Sequence, residues 1–271
     1  MYNVEEVFDN IVCLGTNCES AFALNYLYGK IESGIFNWTA VYDINKLIDF
    51  INNRNILFSS KSKIEDNKMV RCEVTNFRFH TKLKELEIVD NCGKKNEKNI
   101  ELIKQEVFSR IEYLANKFFL NLSSGDRIIF VLKFFSYNNY DENLSDILNR
   151  LAKTLSDKCK NKNFKIYCVL EADKYVDIAD KLLDKRIIIK RLSSFAPLDK
   201  AYLFNKVEWR YIFKDLKIKN KKIIPECWIY VKYLRYKILS FILFGKKRIH
   251  YERLIKIYDK QFEFVKMQID S

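Results

Sequence analysis

Three apolar segments in the second half of the chain constrain its fold more than any other feature. They are IIFVLKF (128–134), FKIYCVL (164–170) and RIIIKRL (186–192), and each has the length and composition of a buried strand. Amphipathic helical patterns over 141–159 and 172–184 separate them along the sequence. Strands that alternate with helices form parallel sheets through right-handed crossovers. The sequence therefore predicts an α/β fold, with a mostly parallel sheet flanked by helices.

The first half of the chain predicts further elements around this sheet. NIVCLG (10–15) has the pattern of another short buried strand, and the helical pattern that follows it ends at Gly29. The other predictions for this half are a strand over 33–39, a strand or hairpin over 68–80, and helices over 42–53 and 99–122.

The alternation of strands and helices stops near residue 197, and basic helical patterns follow. We therefore expect an α/β domain over 1–200 and a basic helical C-terminal extension over 201–271. Of the 271 residues, 48% are hydrophobic, which is enough to bury a substantial core and excludes a globally disordered chain.

Cysteine and histidine usage narrows the chemistry of the chain. The seven cysteines are odd in number, none belongs to a CxxC pair, and there are only two histidines. This pattern argues against a Cys/His zinc site, so we expect no metal, and it favours reduced thiols in the cytoplasm. The first ten residues are acidic and lack the basic and apolar pattern of a signal peptide.

Most of the net charge of +13 belongs to one segment of the sequence. Residues 217–260 contain 13 Lys and Arg against three acidic residues, and they include Lys246, Lys247 and Arg248. The apolar residues of the first helical pattern in this segment share one face, which suits an interfacial helix on an anionic membrane. A core-packed helix with a solvated basic face is the more common cause of such a pattern. Nucleic-acid binding is a weaker third interpretation, because the segment has no nucleic-acid motif.

Cys18 follows the first predicted strand, in the stretch GTNCES (15–20). Thr16 and Glu19 have the spacing of a capping box, which would put Cys18 in the first turn of a helix. The unpaired N–H groups there favour a thiolate, and together with the Asn17 side chain they could stabilise an oxyanion. Glu19 opposes this, because a neighbouring carboxylate raises the pKa of a thiol. The competing interpretation is an inert core residue, as most free cysteines are.

A thiol nucleophile needs a base, and the chain offers two histidines. His80 closes the apolar stretch TNFRFH and is favoured, because sites in α/β proteins gather at strand ends. His250 lies in the basic segment. Candidates to orient the imidazole of His80 are Asn37, Asp173 and Asp199.

The stretches LGTNCESAFALNYL and SGIFNW resemble the LG-S/T-N-C and S-x-P-F-D-W signature of a bacterial family described as papain-like cysteine peptidases, a domain of unknown function. NFRFH resembles the F-P-H element of that family, and RIEYLANKFFLNLSSGDRIIFVLK resembles its following helix–turn–strand block. The resemblance covers roughly residues 10–170. It implies that Cys18 is the nucleophile and that His80 is the base.

Other positions either match the family's motif or depart from it. Gly15, Asn17 and Trp38 match motif positions. Where the family has Pro, Asp and Pro, this chain has Ile35, Asn37 and Phe79. Asn37 can still orient His80 by hydrogen bonding, as an Asn does in papain-like sites.

The resemblance implies a thiol-dependent acyl-transfer enzyme linked to the biosynthesis of surface polysaccharide. A looser similarity to capsule polysaccharide acetyltransferases leaves two versions open, a peptidase-type hydrolase and an acyltransferase that takes an acyl-CoA donor and a glycan or other small-molecule acceptor. The alternative is a non-catalytic module that docks a glycan-assembly complex on the membrane through residues 217–260. Either protein is expected in the cytoplasm, peripherally at the inner face of the membrane.

Overall fold

The structure is a computed structural model that describes residues 6–29, 31, 33–54, 63–65, 69–72, 74–80, 97–134, 143–174, 183–223 and 238. Its strands are β1 (Val7–Phe8), β2 (Asn10–Cys13), β3 (Thr39–Ala40), β4 (Lys63–Glu65), β5 (Met69–Arg71), β6 (Arg78–His80), β7 (Ile128–Lys133), β8 (Lys165–Glu171), β9 (Ile187–Leu192) and β10 (Lys217–Ile218). Its α-helices are α1 (Glu19–Tyr28), α2 (Ile44–Asn53), α3 (Glu97–Ser123), α4 (Leu144–Lys158) and α5 (Lys206–Phe213). Two 3-10 helices cover Ile35–Trp38 and Leu198–Leu203.

The central sheet has four parallel strands in the order β2-β7-β8-β9. These are the strands that the apolar segments predict, so the α/β class with a parallel sheet flanked by helices is confirmed. The predicted helices over 42–53, 99–122 and 141–159 correspond to α2, α3 and α4. The helical pattern over 172–184 lies largely outside the described residues.

Both faces of this sheet are covered, which explains why its strands are almost continuously apolar. Alternate residues of β7 point to opposite faces. Ile128, Phe130 and Leu132 pack with α2, α3 and α4 in one core cluster. Ile129 and Val131 pack with α1 and α5 in the other. Lys133, the last residue of β7, therefore shares the face of α1 and α5.

Helices α2, α4 and α5 begin at polar residues whose side chains cap the first turn. The Asp43 carboxylate accepts from the Asn45 N–H at the start of α2. The side chains of Asn143 and Asn205 do the same for α4 and α5. Such caps satisfy N–H groups that have no partner within the helix.

A second, smaller sheet is antiparallel, in the order β3-β6-β5-β4. Strands β5 and β6 confirm the prediction of a strand or hairpin over 68–80. The predicted strand over 33–39 is wrong for most of its length, because Ile35–Trp38 forms a 3-10 helix and only the two residues of β3 are extended. The Thr39 hydroxyl donates to the Ile35 carbonyl at 2.5 Å and closes that turn. A short apolar run alone does not distinguish a strand from a buried helical turn.

Residues 198–218 pack against the parallel sheet. Trp209 and Phe213 of α5 are fully buried in the cluster that contains α1, and β10 pairs in parallel with β1. The predicted division at residue 200 stays a prediction.

Most of the basic segment, including Lys246, Lys247 and Arg248, lies outside the described residues, as does His250. Within the described part of the chain, no helix combines the length and apolar character that a membrane crossing requires.

Candidate active site at the carboxyl end of the parallel sheet

The chain leaves β2 through a tight turn that requires glycine. Gly15 has a φ of +91° and Thr16 a φ of +76°, so two consecutive residues are in the left-handed region. A Cβ atom on Gly15 would lie 2.6 Å from Cγ2 of Val41. Gly15 is therefore fixed by both backbone conformation and close packing, which gives this motif position a structural role.

The predicted capping box between Thr16 and Glu19 is wrong. The Thr16 hydroxyl donates to the Lys133 carbonyl at the end of β7, and Cys18 is the N-cap residue of α1. Asn17 supplies the cap instead, since its Oδ1 accepts from the Glu19 N–H at 3.0 Å. The left-handed φ of Thr16 and the neighbouring strand override the local pattern. Cys18 thus lies immediately before the helix rather than within its first turn.

The Cys18 thiol is buried, with 7% of the residue exposed. Burial raises its pKa to about 11, and the Lys133 ammonium partly offsets this by favouring the thiolate. The expected opposition from Glu19 is not among the causes of this shift, because the Glu19 side chain is engaged with other partners in the core.

Glu19 and Lys133 form a fully buried ion pair, Lys133 Nζ with Glu19 Oε2. Glu19 also accepts from the Trp209 indole N–H at 3.0 Å and from the Ala196 N–H at 3.1 Å. Lys133 Nζ further donates to Asn17 Oδ1 at 3.3 Å. Burial lowers the pKa of Lys133 to about 8 and raises that of Glu19, while the ion pair and the two N–H donors favour the charged forms.

All four strands of the parallel sheet contribute to this cluster at their carboxyl ends. Cys18 follows β2, Lys133 ends β7 and Glu171 ends β8. After β9, the Phe195 N–H donates to Glu171 Oε1 at 3.1 Å, and the Phe195 ring centroid lies 4.1 Å from Lys133 Nζ. The carboxyl edge of a parallel sheet is where α/β proteins place their ligands.

Sequence reasoning missed Lys133, Glu171 and Trp209. One signal for Lys133 was present, because it is the single charged residue in the apolar segment 128–134. A fully buried lysine needs a partner, so this position predicted a buried carboxylate. Nothing in the local sequence identified that carboxylate as Glu19, which is 114 residues away.

Two buried polar atoms at the start of α1 have no hydrogen-bond partner among the described residues, Nδ2 of Asn17 and Oγ of Ser20. Asn17 is 6% exposed, and its Oδ1 is already bonded to the Glu19 N–H. The Nδ2 donor of the same amide group is thus unused beside Cys18. Native proteins rarely leave buried donors without partners, so this one is suited to an oxygen atom of a ligand.

His80 ends β6 in the antiparallel sheet, where its side chain is exposed. The surrounding protein still lowers its pKa through desolvation, so the imidazole is neutral at pH 7. Among the described residues, neither Cys18 nor His80 contributes to the pKa shift of the other, whereas Lys133 contributes to that of Cys18. The pairing of Cys18 with His80 stays a prediction.

The remaining candidates occupy three different places. Asn37 is buried in the 3-10 helix of residues 35–38, and the neighbouring Trp38 packs edge-on against Phe22 of α1 at 5.1 Å between ring centroids. Asp173 lies in the turn after β8, and Asp199 lies in the second 3-10 helix. Ile35 and Phe79, which stand where the similar motif has proline, are core residues.

Within the described ranges, no group of three His, Cys, Asp or Glu side chains is arranged to hold a metal ion. The five described cysteines are all buried free thiols. Comparison of the chain with family models, with curated proteins and with solved structures finds no match.

Proposed function

We propose that the protein is a thiol-dependent acyl-transfer enzyme with Cys18 as its nucleophile. The observation that carries this proposal is the arrangement at the start of α1. There a thiol at the carboxyl edge of a parallel sheet adjoins the unused, buried N–H donor of Asn17. A thiol supplies the attacking atom, and a preorganised donor beside it supplies a place for the oxyanion.

The reaction has two steps. The Cys18 sulfur attacks the carbonyl carbon of an acyl donor, its S–H proton passes to a base, and the bond to the leaving group breaks as that group takes up a proton. Water or a hydroxyl group then attacks the thioester, the C–S bond breaks, and the thiol regains its proton. Because burial raises the pKa of the Cys18 thiol to about 11, a base must take the proton during the attack. The proposed base is His80, whose imidazole is neutral at pH 7.

The acceptor decides between the two versions of this enzyme. Water gives a peptidase-type hydrolase, whereas a sugar hydroxyl gives an acyltransferase that uses acyl-CoA as the donor. The proposal includes a role in surface polysaccharide biosynthesis and a position in the cytoplasm at the inner face of the membrane, reached through residues 217–260. These assignments rest on the resemblance of the Cys18 and His80 motifs.

Acylation by a small activated ester tests the proposal directly. The protein is mixed with p-nitrophenyl acetate and digested, and the acetylated peptides are quantified by mass spectrometry. Cys159 is a matched control thiol, because it is also buried and its pKa is also raised to about 11. We expect acetyl-Cys18 to form in the wild-type protein and in Cys159→Ala, and no corresponding adduct to form in Cys18→Ala.

A denatured sample sets the baseline for an unassisted thiol. If native Cys18 is acetylated no faster than Cys18 in the denatured protein, the proposed function is wrong. A His80→Ala variant that is folded but acylates at the wild-type rate would remove His80 as the base and leave Cys18 as the nucleophile.

The non-catalytic docking module is a second candidate, and the environment of Cys18 favours it specifically. The thiol is buried, and burial raises its pKa with no contribution from His80 among the causes of the shift. A docking module would bind anionic vesicles through residues 217–260 without any acylation of Cys18. Equal binding of such vesicles by the full chain and by a 1–216 truncation that retains its fold would contradict this candidate.

A further inference from the structure

The ion pair of Lys133 and Glu19 is buried at the start of α1, next to Cys18 in the sequence. Glu19 follows Cys18 directly and pairs with Lys133 Nζ, while Asn17 precedes Cys18 and accepts from the same ammonium at 3.3 Å. Lys133 and Glu19 are both fully buried, and the Phe195 ring covers the ammonium at 4.1 Å. The ammonium is thus held by the two residues that flank the thiol.

We propose that Lys133 is a positioning residue for Cys18, which stabilises negative charge on the Cys18 sulfur, and that Glu19 holds the Lys133 ammonium in place for this purpose. The inference rests on the proposed function, because it assigns the electrostatic support of the same nucleophile. In the first step of acyl transfer the sulfur gains charge as the S–H proton leaves, and it loses that charge as the S–C bond forms. The ammonium keeps its own protons throughout.

Stability alone does not account for this pair. Removing two charges from water is costly, and well-packed apolar residues at such positions often give equal or greater stability. Lys133 is buried among a carboxylate, an amide and an aromatic ring. This arrangement therefore indicates that a positive charge at this edge of the sheet has a role other than stability. Lys133 favours the thiolate of Cys18, and in turn a charged Cys18 favours the ammonium.

Charged and titratable groups reach this centre from three other elements. Glu19 comes from α1, and Glu171 at the end of β8 also favours the ammonium form of Lys133. Glu171 is itself paired with Lys174. The Cys13 thiol at the end of β2 remains neutral, because burial raises its pKa to about 12. Besides a backbone N–H, the group among the described residues that favours negative charge on Cys18 is therefore the Lys133 ammonium.

Alkylation by iodoacetamide in the absence of any acyl donor isolates this effect. The rate at Cys18 is measured between pH 6 and pH 8, where Lys133 still carries charge, in the full chain and in the double variant Lys133→Met/Glu19→Gln, which removes both charges together. We expect the Cys18 rate to fall about tenfold at pH 7 and its pH profile to move upward by about one unit. Cys159, measured in the same digests, should keep its rate.

Unchanged profiles at Cys18 in a folded double variant would mean that the ion pair is only structural and would overturn the inference. A downward shift would overturn it as well, because Glu19 would then dominate the charge at Cys18. If the double variant does not fold, Glu171→Gln provides the second test. Loss of that partly exposed carboxylate lowers the protonated fraction of Lys133, so Cys18 alkylation should slow several-fold, and an unchanged rate contradicts the inference.

The two proposals fail in different ways. If Cys18 is not acetylated by the ester but its alkylation profile shifts as expected, the proposed function is wrong and the charge support is real. If acetylation depends on Cys18 but the alkylation profile does not move, the function stands and Lys133 has no part in it.

Discussion

The two ends of the parallel sheet each hold a buried free thiol, and they differ in what surrounds it. Cys18 at the carboxyl end precedes the first residue of α1, and Cys159 at the amino end is the C-cap of α4, where its N–H donates to the Leu155 carbonyl at 2.7 Å. Burial raises the pKa of both thiols to about 11. The start of a helix favours an anion, whereas the end of a helix disfavours one. The two thiols have similar acidity in spite of these different helix ends, so the groups oriented around Cys18, rather than its acidity, set the carboxyl end apart.

The largest expected difference between the two ends is in stability. Lys133→Met leaves the Glu19 carboxylate buried without its cation, so we expect the free energy of unfolding to fall by about 3–5 kcal/mol. At the amino end, Arg186→Met breaks the partly exposed pair with Asp184 and should cost about 1 kcal/mol. Urea denaturation followed by circular dichroism measures both. Similar losses for the two variants would contradict the assignment of Glu19 as a buried carboxylate.

Glycine substitutions compare the backbone turns at the two ends. Gly15→Ala combines a left-handed φ with a Cβ contact of 2.6 Å to Val41 Cγ2, so we expect a loss of about 3 kcal/mol. Gly125→Ala also has a left-handed φ, +87°, but its nearest neighbour is Lys160 Cδ at 3.8 Å, and we expect a loss of about 1 kcal/mol. Thermal unfolding of the two variants checks the order. If Gly15→Ala loses less stability than Gly125→Ala, the Val41 side chain must move to make room for the new Cβ atom.

Asparagine substitutions test the proposed oxyanion donor. Asn17→Ala removes the unused Nδ2 donor, so acetylation of Cys18 should slow about 100-fold while its alkylation changes less than tenfold. Asn161 is the matched residue at the amino end, where its Nδ2 donates to the Gly125 carbonyl at 2.9 Å. Asn161→Ala should leave Cys18 acetylation unchanged. Equal slowing of acetylation and alkylation in Asn17→Ala would instead indicate a general loss of the helix cap.

The smallest expected difference concerns pH. Because burial raises the pKa of both thiols from 9.0 to about 11, the alkylation rate of Cys159 should rise about tenfold per pH unit between pH 8 and pH 10. The rate of Cys18 should rise less steeply over this range, because Lys133 loses its charge above pH 8. Both should react about 100-fold slower at pH 8 than in denaturant. The folded protein keeps these protons where the unfolded chain loses them, so the two thiols lower stability as the pH rises from 9 to 11. A profile that levels off near pH 9 at either site would contradict the burial of that thiol.

The sequence predicted the framework of the fold because the framework depends on long apolar patterns. The segments 128–134, 164–170 and 186–192 are short and rich in β-branched and aromatic residues, which favours buried strands over helices, and helix α4 between the first two follows from periodicity. The short segment 33–39 was mispredicted because its apolar residues are buried equally well in a 3-10 helix. Local spacing also failed at Thr16, whose hydroxyl bonds to β7 rather than to α1.

The candidate site was predictable in part. Cys18 and Asn17 could be identified from their position after an apolar strand. The pairing of Glu19 with Lys133 and Trp209 could not, because it joins residues separated by 114 and 190 positions. Such contacts depend on which strand lies beside β2 and on which helix covers it. Sequence reasoning therefore treated Glu19 as an opponent of the thiolate, whereas in the structure it anchors the ammonium that supports it.

The most direct test of the account compares Cys18 and Cys159 within one sample of the wild-type protein. Acetylation by p-nitrophenyl acetate and alkylation by iodoacetamide are both measured at the two sites at pH 8. The account predicts that the acetylation rate at Cys18 exceeds that at Cys159 by at least about 100-fold, while their alkylation rates agree within about tenfold. If the rate at Cys18 divided by the rate at Cys159 is the same for acetylation and for alkylation, the carboxyl end of the sheet holds a buried thiol but no acyl-transfer site.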